Sequence, residues 1–204
     1  IGHDENGVYC DYVETKGEAK VRGNSTAGKA KKPYNIKFST NIDLFGMGED
    51  NKYCLLANAL EASLMRNALV RKFNETCGLD YACTFEFVDV YVDGTYRGNY
   101  LMCTPVDVEE TRVNIDKKTD AILEIEESHN TGDVFYFNRG GITTPFFRIK
   151  FLVADGNELS GEGYSKVFST IYQIEYAIVS GDWEEIQKFA DVDSLLRFYI
   201  LADY

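Results

Sequence analysis

Apolar and polar residues alternate strictly in Tyr34-Asn35-Ile36-Lys37-Phe38, which predicts a β-strand with Tyr34, Ile36 and Phe38 on one face. Pro33 stands at its start, where a missing N–H does no harm. A shorter strand is predicted over Ala19 to Arg22, and Gly23 to Gly28 between the two is a turn-rich loop. After the glycine loop Phe45-Gly46-Met47-Gly48, Lys52 to Ala57 reads as a third, more buried strand, with Lys52 beside a solvated turn at Asp50 and Asn51. Ser63 then has the chemistry of a helix N-cap. Leu64, Met65, Ala68, Leu69 and Phe73 recur at helical steps, and Gly78 supplies a stop. The sharpest local signal follows: strand-forming runs Phe85 to Val92 and Thr95 to Leu101 flank Asp93-Gly94, the turn chemistry of a two-residue hairpin.

The second half opens with three further strand candidates, Ala121 to Ile125, Val134 to Phe137 and Phe146 to Val153, and then turns helical. Val167, Ile171, Ile174 and Ile178 form one apolar stripe that ends at Gly181. Asp182 and Glu185 have capping-box spacing for a short helix through Phe189. A last helix is expected from near Asp191, with Val192, Leu195, Leu196, Tyr199 and Ile200 on a buried face. It has no Gly, Asn or Pro stop, so more chain is expected beyond Tyr204. The change of character after Thr104-Pro105 divides the chain into a β-rich lobe, 1–105, and the start of a helical one, 106–204.

Composition narrows the function. The 204 residues are 45% apolar, normal for a globular core, and no run reaches the ~20 apolar residues of a membrane span. The start, Ile1-Gly2-His3-Asp4, has neither the basic nor the apolar region of a signal peptide, and without an initiator Met it is not expected to be the natural terminus. A net charge of −12 opposes binding to nucleic acid, since the one dense basic cluster, Lys29-Ala30-Lys31-Lys32, is too short for a groove. That cluster reads either as a solvated loop or as a holder of one small polyanion. Five cysteines without CxxC spacing argue against zinc and thioredoxin chemistry, and no disulfide is indicated. Two histidines beside polar loop residues leave little for histidine catalysis.

Strand, Gly/Ser/Thr loop, strand with a lysine, strand, helix and hairpin is the order of elements in the small lobe of a protein kinase. The loop does not match GxGxxG. The residues themselves point further. Arg22-Gly23-Asn24-Ser25-Thr26, then Lys32-Pro33-Tyr34-Asn35-Ile36-Lys37-Phe38, then Leu55-Leu56-Ala57-Asn58 with Ser63-Leu64-Met65-Arg66-Asn67, and finally Phe87 to Leu101 form four ordered blocks. Together they resemble the signatures of the spore-coat protein H (CotH) kinase family.

The resemblance implies an α+β, atypical protein-kinase-like bilobal fold, with a β-rich N-terminal lobe carrying one helix and a truncated helical C-terminal part. It implies ATP with Mg²⁺ or Mn²⁺, and phosphorylation of serine on partner proteins by a secreted bacterial kinase at the spore surface or outside the cell. Spore-coat or cellulosomal proteins are the partners it implies, with no nucleic acid or membrane. The family's catalytic and metal-binding aspartates are expected beyond this chain, so no catalytic residue is assigned, and the metal ligands are unknown. Thr104-Pro105 departs from the family, which keeps a glutamate after the hairpin. The nucleotide-binding candidates are Arg22, Asn24, Ser25, Lys37 and Arg66. Lys37 reads as a phosphate partner or as a solvated strand residue, and Arg22 with Asn24 to Thr26 as phosphate donors or turn caps. Arg66 is expected to be buried against a carboxylate, with Glu61 the candidate. Glu124 to Glu127 reads as a solvated acidic run or as Mg²⁺ ligands. Two readings compete with the kinase: a non-catalytic kinase-like interaction module of a secreted assembly, and a carbohydrate-binding module built on Tyr91, Tyr96 and Tyr100.

Overall fold

In a computed structural model, residues 14–81, 83–123 and 160–203 are described, together with the backbone of short strands nearer the amino terminus and within 134–148. In chain order the strands and helices are β1 (Gly2–Asp4), β2 (Gly7–Cys10), β3 (Gly17–Val21), β4 (Tyr34–Ile42), β5 (Asp50–Leu56), α1 (Arg66–Thr76), β6 (Phe85–Val92) and β7 (Thr95–Cys103). The short strands β8 (Val134–Phe135), β9 (Asn138–Arg139), β10 (Ile142–Thr143) and β11 (Phe147–Arg148) follow, then α2 (Gly161–Ser180), α3 (Trp183–Phe189) and α4 (Val192–Asp203). The chain divides into two compact units, Ile1–Val106 with Leu196–Tyr204, and Asp107–Leu195.

The first unit is built on a five-stranded antiparallel sheet in the order β3-β4-β5-β7-β6, with α1 inserted between its third and fourth strands in sequence. The fold is therefore α+β, as the pattern of apolar positions predicts. Register decides which residues meet. Tyr34 pairs with Leu55 and Leu55 with Met102, so one sheet face carries Leu55, Ala57 and Tyr100 as a buried cluster flanked by Tyr34, Ile36, Val88, Val90 and Met102. The other face of β5 and β7 carries Cys54, Leu101 and Cys103, all buried. The β6–β7 hairpin turns on Asp93 (φ 50°) and Gly94 (φ 73°), two left-handed residues whose twist matches that of the strands.

Three sequence expectations need correction here. Helix α1 starts at Arg66, not at Ser63, because Leu64 takes φ 61° and turns the chain out of the helical path. Its apolar stripe is not covered among the described residues: Ala68 is buried, whereas Met65, Leu69 and Phe73 are about half exposed. Asp50 and Lys52 belong to β5 itself, with Asp50 buried and its Oδ1 accepting from the backbone N–H of Lys52 at 3.0 Å, so no solvated turn separates them.

In the second unit Gly181 ends α2 in the left-handed conformation (φ 71°), and the Asp182 carboxylate accepts from the N–H of Glu185 at 3.0 Å to start α3. The stop and the start were both legible as residue types. The expected strand Ala121 to Ile125 does not form over Ala121 to Leu123; its last two residues, and all of the predicted 134–137 and 146–153 strands except β8 and β11, lie outside the described residues. Helix α4 begins after Asp191, whose Oδ1 accepts from Ser194 N at 3.0 Å. Its expected buried face is open: Leu195, Leu196, Tyr199 and Ile200 are all more than half exposed. No described helix is long and apolar enough to cross a membrane.

Leu101 is fully buried at the centre of the sheet. Leu101→Ala is expected to lower unfolding free energy by ~2–5 kcal/mol through lost burial and a residual cavity. Leu69→Ala, at a half-exposed helical position, should cost well under ~1 kcal/mol. Chemical denaturation midpoints of the two variants check the order.

Candidate nucleotide-binding site

The loop joining β3 to β4 continues their ladder by one step, Arg22 N donating to Pro33 O at 3.1 Å, before it opens. Gly23 then takes φ 83°, and a Cβ there would lie 2.3 Å from Thr26 Oγ1, so only glycine lets the chain fold back so closely. A short 3₁₀ turn, Thr26–Gly28, follows. The lysine cluster is not simply solvated. Lys32 Nζ donates to Ala27 O at 2.8 Å, and Lys31 Nζ donates to Asn99 O while standing 4.5 Å above the centre of the Tyr100 ring. Partial burial lowers the pKa of Lys31 from its ordinary value. Gly98 (φ 108°) makes room for this lysine, since a Cβ at that position would lie 3.2 Å from Lys31 Cε.

Beneath the loop lies a cavity of about 350 Å³. Arg22, Gly23 and Thr26 border it on the loop side, Leu56 and Ala57 at the end of β5, and Arg66 with Asn67 in the first turn of α1. The turn between β5 and α1 forms the remaining wall and is held by an asparagine relay. Asn58, left-handed at φ 49°, donates from Nδ2 to Leu64 O at 2.7 Å and accepts at Oδ1 from Asn67 Nδ2 at 2.7 Å. Ser63 keeps one capping-type bond, its Oγ accepting from Met65 N at 3.2 Å, and Glu61 caps the helix start beside it. Its Oε1 accepts from Arg66 N at 3.1 Å and its Oε2 from Ser63 N at 2.9 Å, while the Ser63 hydroxyl also donates to Oε2. These bonds, that from the Ser63 hydroxyl first, together with the positive charge of Arg66, hold the Glu61 carboxyl below its usual pKa. Glu61 and Arg66 are thus neighbours as anticipated, but Arg66 is exposed at the cavity wall and not buried. The reason is helical phase: Ala68, two residues on, is the position that α1 turns inward.

The five candidates are distributed unevenly. Arg22 and Arg66 border the same cavity. Asn24 and Ser25 are exposed in the loop and lie outside the cavity lining, Ser25 preceding the 3₁₀ turn. Lys37 is exposed on β4, level with Glu18 on β3 and Lys52 on β5. Alternation places it on the sheet face of Asn35, opposite Ile36 and Phe38, about 13 Å along the sheet from the Arg22–Pro33 pair at ~3.3 Å per residue. Asn58 and Asn67 received no role from the sequence, although both stand inside the family-like blocks; an Asn directly after a buried strand was the signal for a left-handed turn. Among the described residues no three His, Cys, Asp or Glu side chains are grouped to hold a metal ion, and Glu124 to Glu127 lie outside those residues.

The family described as CotH kinase protein matches residues 19–204. The chain belongs to that family. No curated protein matches it. The CotH match runs from β3 through α4, so it takes in the loop, the cavity and both units. Membership of a kinase family implies ATP as the nucleotide and proteins as substrates, and the donor chemistry at the cavity, two guanidiniums and two side-chain amides, suits phosphate oxygens.

Glu61 provides a pH test of this wall. A carboxyl whose folded pKa is depressed stabilises the fold above its unfolded value, ~4.3, and loses that contribution as pH falls through the lower folded value. Glu61→Gln is therefore expected to be less stable than wild type at pH 7, with the difference shrinking steadily below about pH 4.3. Denaturation midpoints between pH 7 and pH 2.5 check this; a difference independent of pH would remove the charge from the explanation.

Proposed function

We propose that this CotH-family domain binds the phosphates of ATP in the cavity beneath the β3–β4 loop, and that the protein it belongs to phosphorylates serine on partner proteins. The observation that carries the reading is the convergence of Arg22, from the loop, and Arg66, from the first turn of α1, on one cavity. Two guanidiniums on separate elements offer planar, paired donors to phosphate oxygens, which a single flexible ammonium does not. Asn24 and Ser25 supply further donors from the loop, and Lys37 adds a positive charge on the sheet face that leads away from it. When bound, ATP supplies the phosphoryl group; the residues described here orient it and offset its charge. Mg²⁺ or Mn²⁺ belongs to the same reading, but the described residues do not form its site, and no step is assigned to it. The proposed setting is a secreted bacterial protein at the spore surface or outside the cell, with spore-coat or cellulosomal proteins as candidate partners.

Removing one charge-assisted contact costs ~1.5–3 kcal/mol, so Arg22→Gln and Arg66→Gln should each weaken ATP binding by roughly ten- to a hundredfold. Lys37→Met should weaken it less, because Lys37 stands outside the cavity lining. Lys72→Met is the control, since Lys72 is exposed on α1 and paired with Glu75 at 2.7 Å. Calorimetric titration with ATP ranks the four variants. Unchanged affinity in both arginine variants would overturn the assignment of this cavity.

A further inference from the structure

Cys54 of β5 and Cys103 of β7 stand directly opposite each other in the antiparallel ladder. Both are free thiols and both are buried, at 4% and 1% exposure. Opposed residues of such a ladder hold their Cα atoms about 4.5 or 5.5 Å apart, depending on whether they exchange hydrogen bonds. Either separation falls within the ~4.4–6.8 Å that a disulfide spans. Because side chains alternate along a strand, the two thiols leave the sheet on the same side, and they are close enough to hydrogen-bond to each other. No equivalent pairing exists for the other described cysteines. Cys77 follows α1, and Cys83 lies two residues before Phe85, the residue that faces Cys103 on β6.

We infer that Cys54 and Cys103 are a disulfide site, a cross-strand bond that joins the middle strand of the sheet to its neighbour when the chain meets an oxidant. The inference concerns the sheet, and it stands whether or not the cavity binds ATP. With oxidised glutathione the exchange begins at either thiol, Cys54 for example. The Cys54 thiolate attacks one glutathione sulfur, the oxidant's S–S bond breaks, and the first glutathione leaves. Cys103 gives up its proton and attacks the Cys54 sulfur of the mixed disulfide, and the second glutathione leaves. Two protein thiols become one disulfide, one oxidised glutathione becomes two thiols, and the two released protons end on them. Burial closes the pair to reagent in the finished sheet, so the exchange belongs to folding or to an opening of the β5–β7 ladder.

The bond would close the segment 54–103, which contains the cavity's asparagine turn, α1 and the β6–β7 hairpin. Crosslinks over loops of this size restrict the unfolded chain enough to raise Tm by ~10 °C. The test is to refold the 204-residue chain in mixed oxidised and reduced glutathione, alkylate the remaining thiols, and read intact mass, digest and Tm. Expected are two thiols protected from alkylation, a linked peptide pair containing Cys54 and Cys103, and a Tm gain of ~10 °C that reductant abolishes. The same linked pair should persist in Cys83→Ser and Cys77→Ser. Complete alkylation of Cys54 and Cys103 in the refolded wild-type chain, or a link from Cys103 to Cys83 in place of Cys54, would overturn the inference.

Discussion

Strand β5 has hydrogen-bonded neighbours on both sides, and its register against β4 and β7 governs the rest of the first unit. A slip of one residue would exchange its two faces, turning Leu55 away from Tyr34 and Met102 and carrying Cys54 into their place. The register is held from both ends. At its start, Asp50 folds its carboxylate back onto the backbone of β5, and the Tyr53 hydroxyl donates to Gly48 O at 3.2 Å, tying the preceding glycine loop to the strand. At its end, Leu55 and Ala57 are locked into the apolar cluster with Tyr100. The chain therefore leaves β5 at a fixed height and direction, and the turn of residues 57–61 that walls the cavity inherits both.

The roof of the cavity depends on a second constraint, made by a residue outside the cavity lining. Lys31 reaches across the sheet to β7, where it meets a backbone carbonyl, an aromatic face and the bare Cα of a glycine. A lysine over a tyrosine ring is worth ~0.5–1 kcal/mol when exposed and more when water is excluded. Here the contact costs the ammonium part of its hydration, which is why its pKa falls. What the contact secures is geometric. The loop that carries Arg22 and Gly23 is fastened on one side by the β3–β4 ladder and on the other by Lys31, so its path over the end of β5 is defined.

Much of this arrangement was legible in the sequence because it rests on local rules. Period-two alternation marked β4, Asp93-Gly94 marked the hairpin turn, and Gly181 and Asp182 marked a helix stop and a helix start. What was not legible depends on neighbours distant in the chain. Nothing local distinguishes Lys31 from Lys29, since the difference lies in Gly98 and Tyr100, nearly seventy residues away. Ser63 has the right chemistry for an N-cap, but a left-handed Leu64 and a competing Glu61 decide against it. The apolar stripes of α1 and α4 satisfy helical periodicity equally well whether their faces are covered or open. Of the proposed site, the sequence marked Arg22 and Arg66 by their family-like blocks, but their approach to one cavity follows from where the loop and the first turn of α1 are carried by β5.

A chain of net charge −12 appears a poor host for a polyanion, yet net charge is the wrong quantity at this scale. Charges at the surface are screened within about 8–10 Å at physiological ionic strength, so a phosphate responds to its immediate wall. That wall contains two arginines and one carboxylate, and the carboxylate is already engaged. Both Glu61 oxygens accept from N–H or O–H donors of the Ser63–Arg66 segment, so part of their negative charge is offset at the start of α1. Capping of α1 by Glu61 therefore does two things at once. It satisfies the first N–H of the helix, that of Arg66, and it fixes the backbone from which the Arg66 side chain departs. On the proposed reading, a phosphate group meets Arg66 as a side chain on an anchored turn and Arg22 as a side chain on an anchored ladder, so the backbone is ordered beforehand and the cost met on binding is that of fixing the side chains.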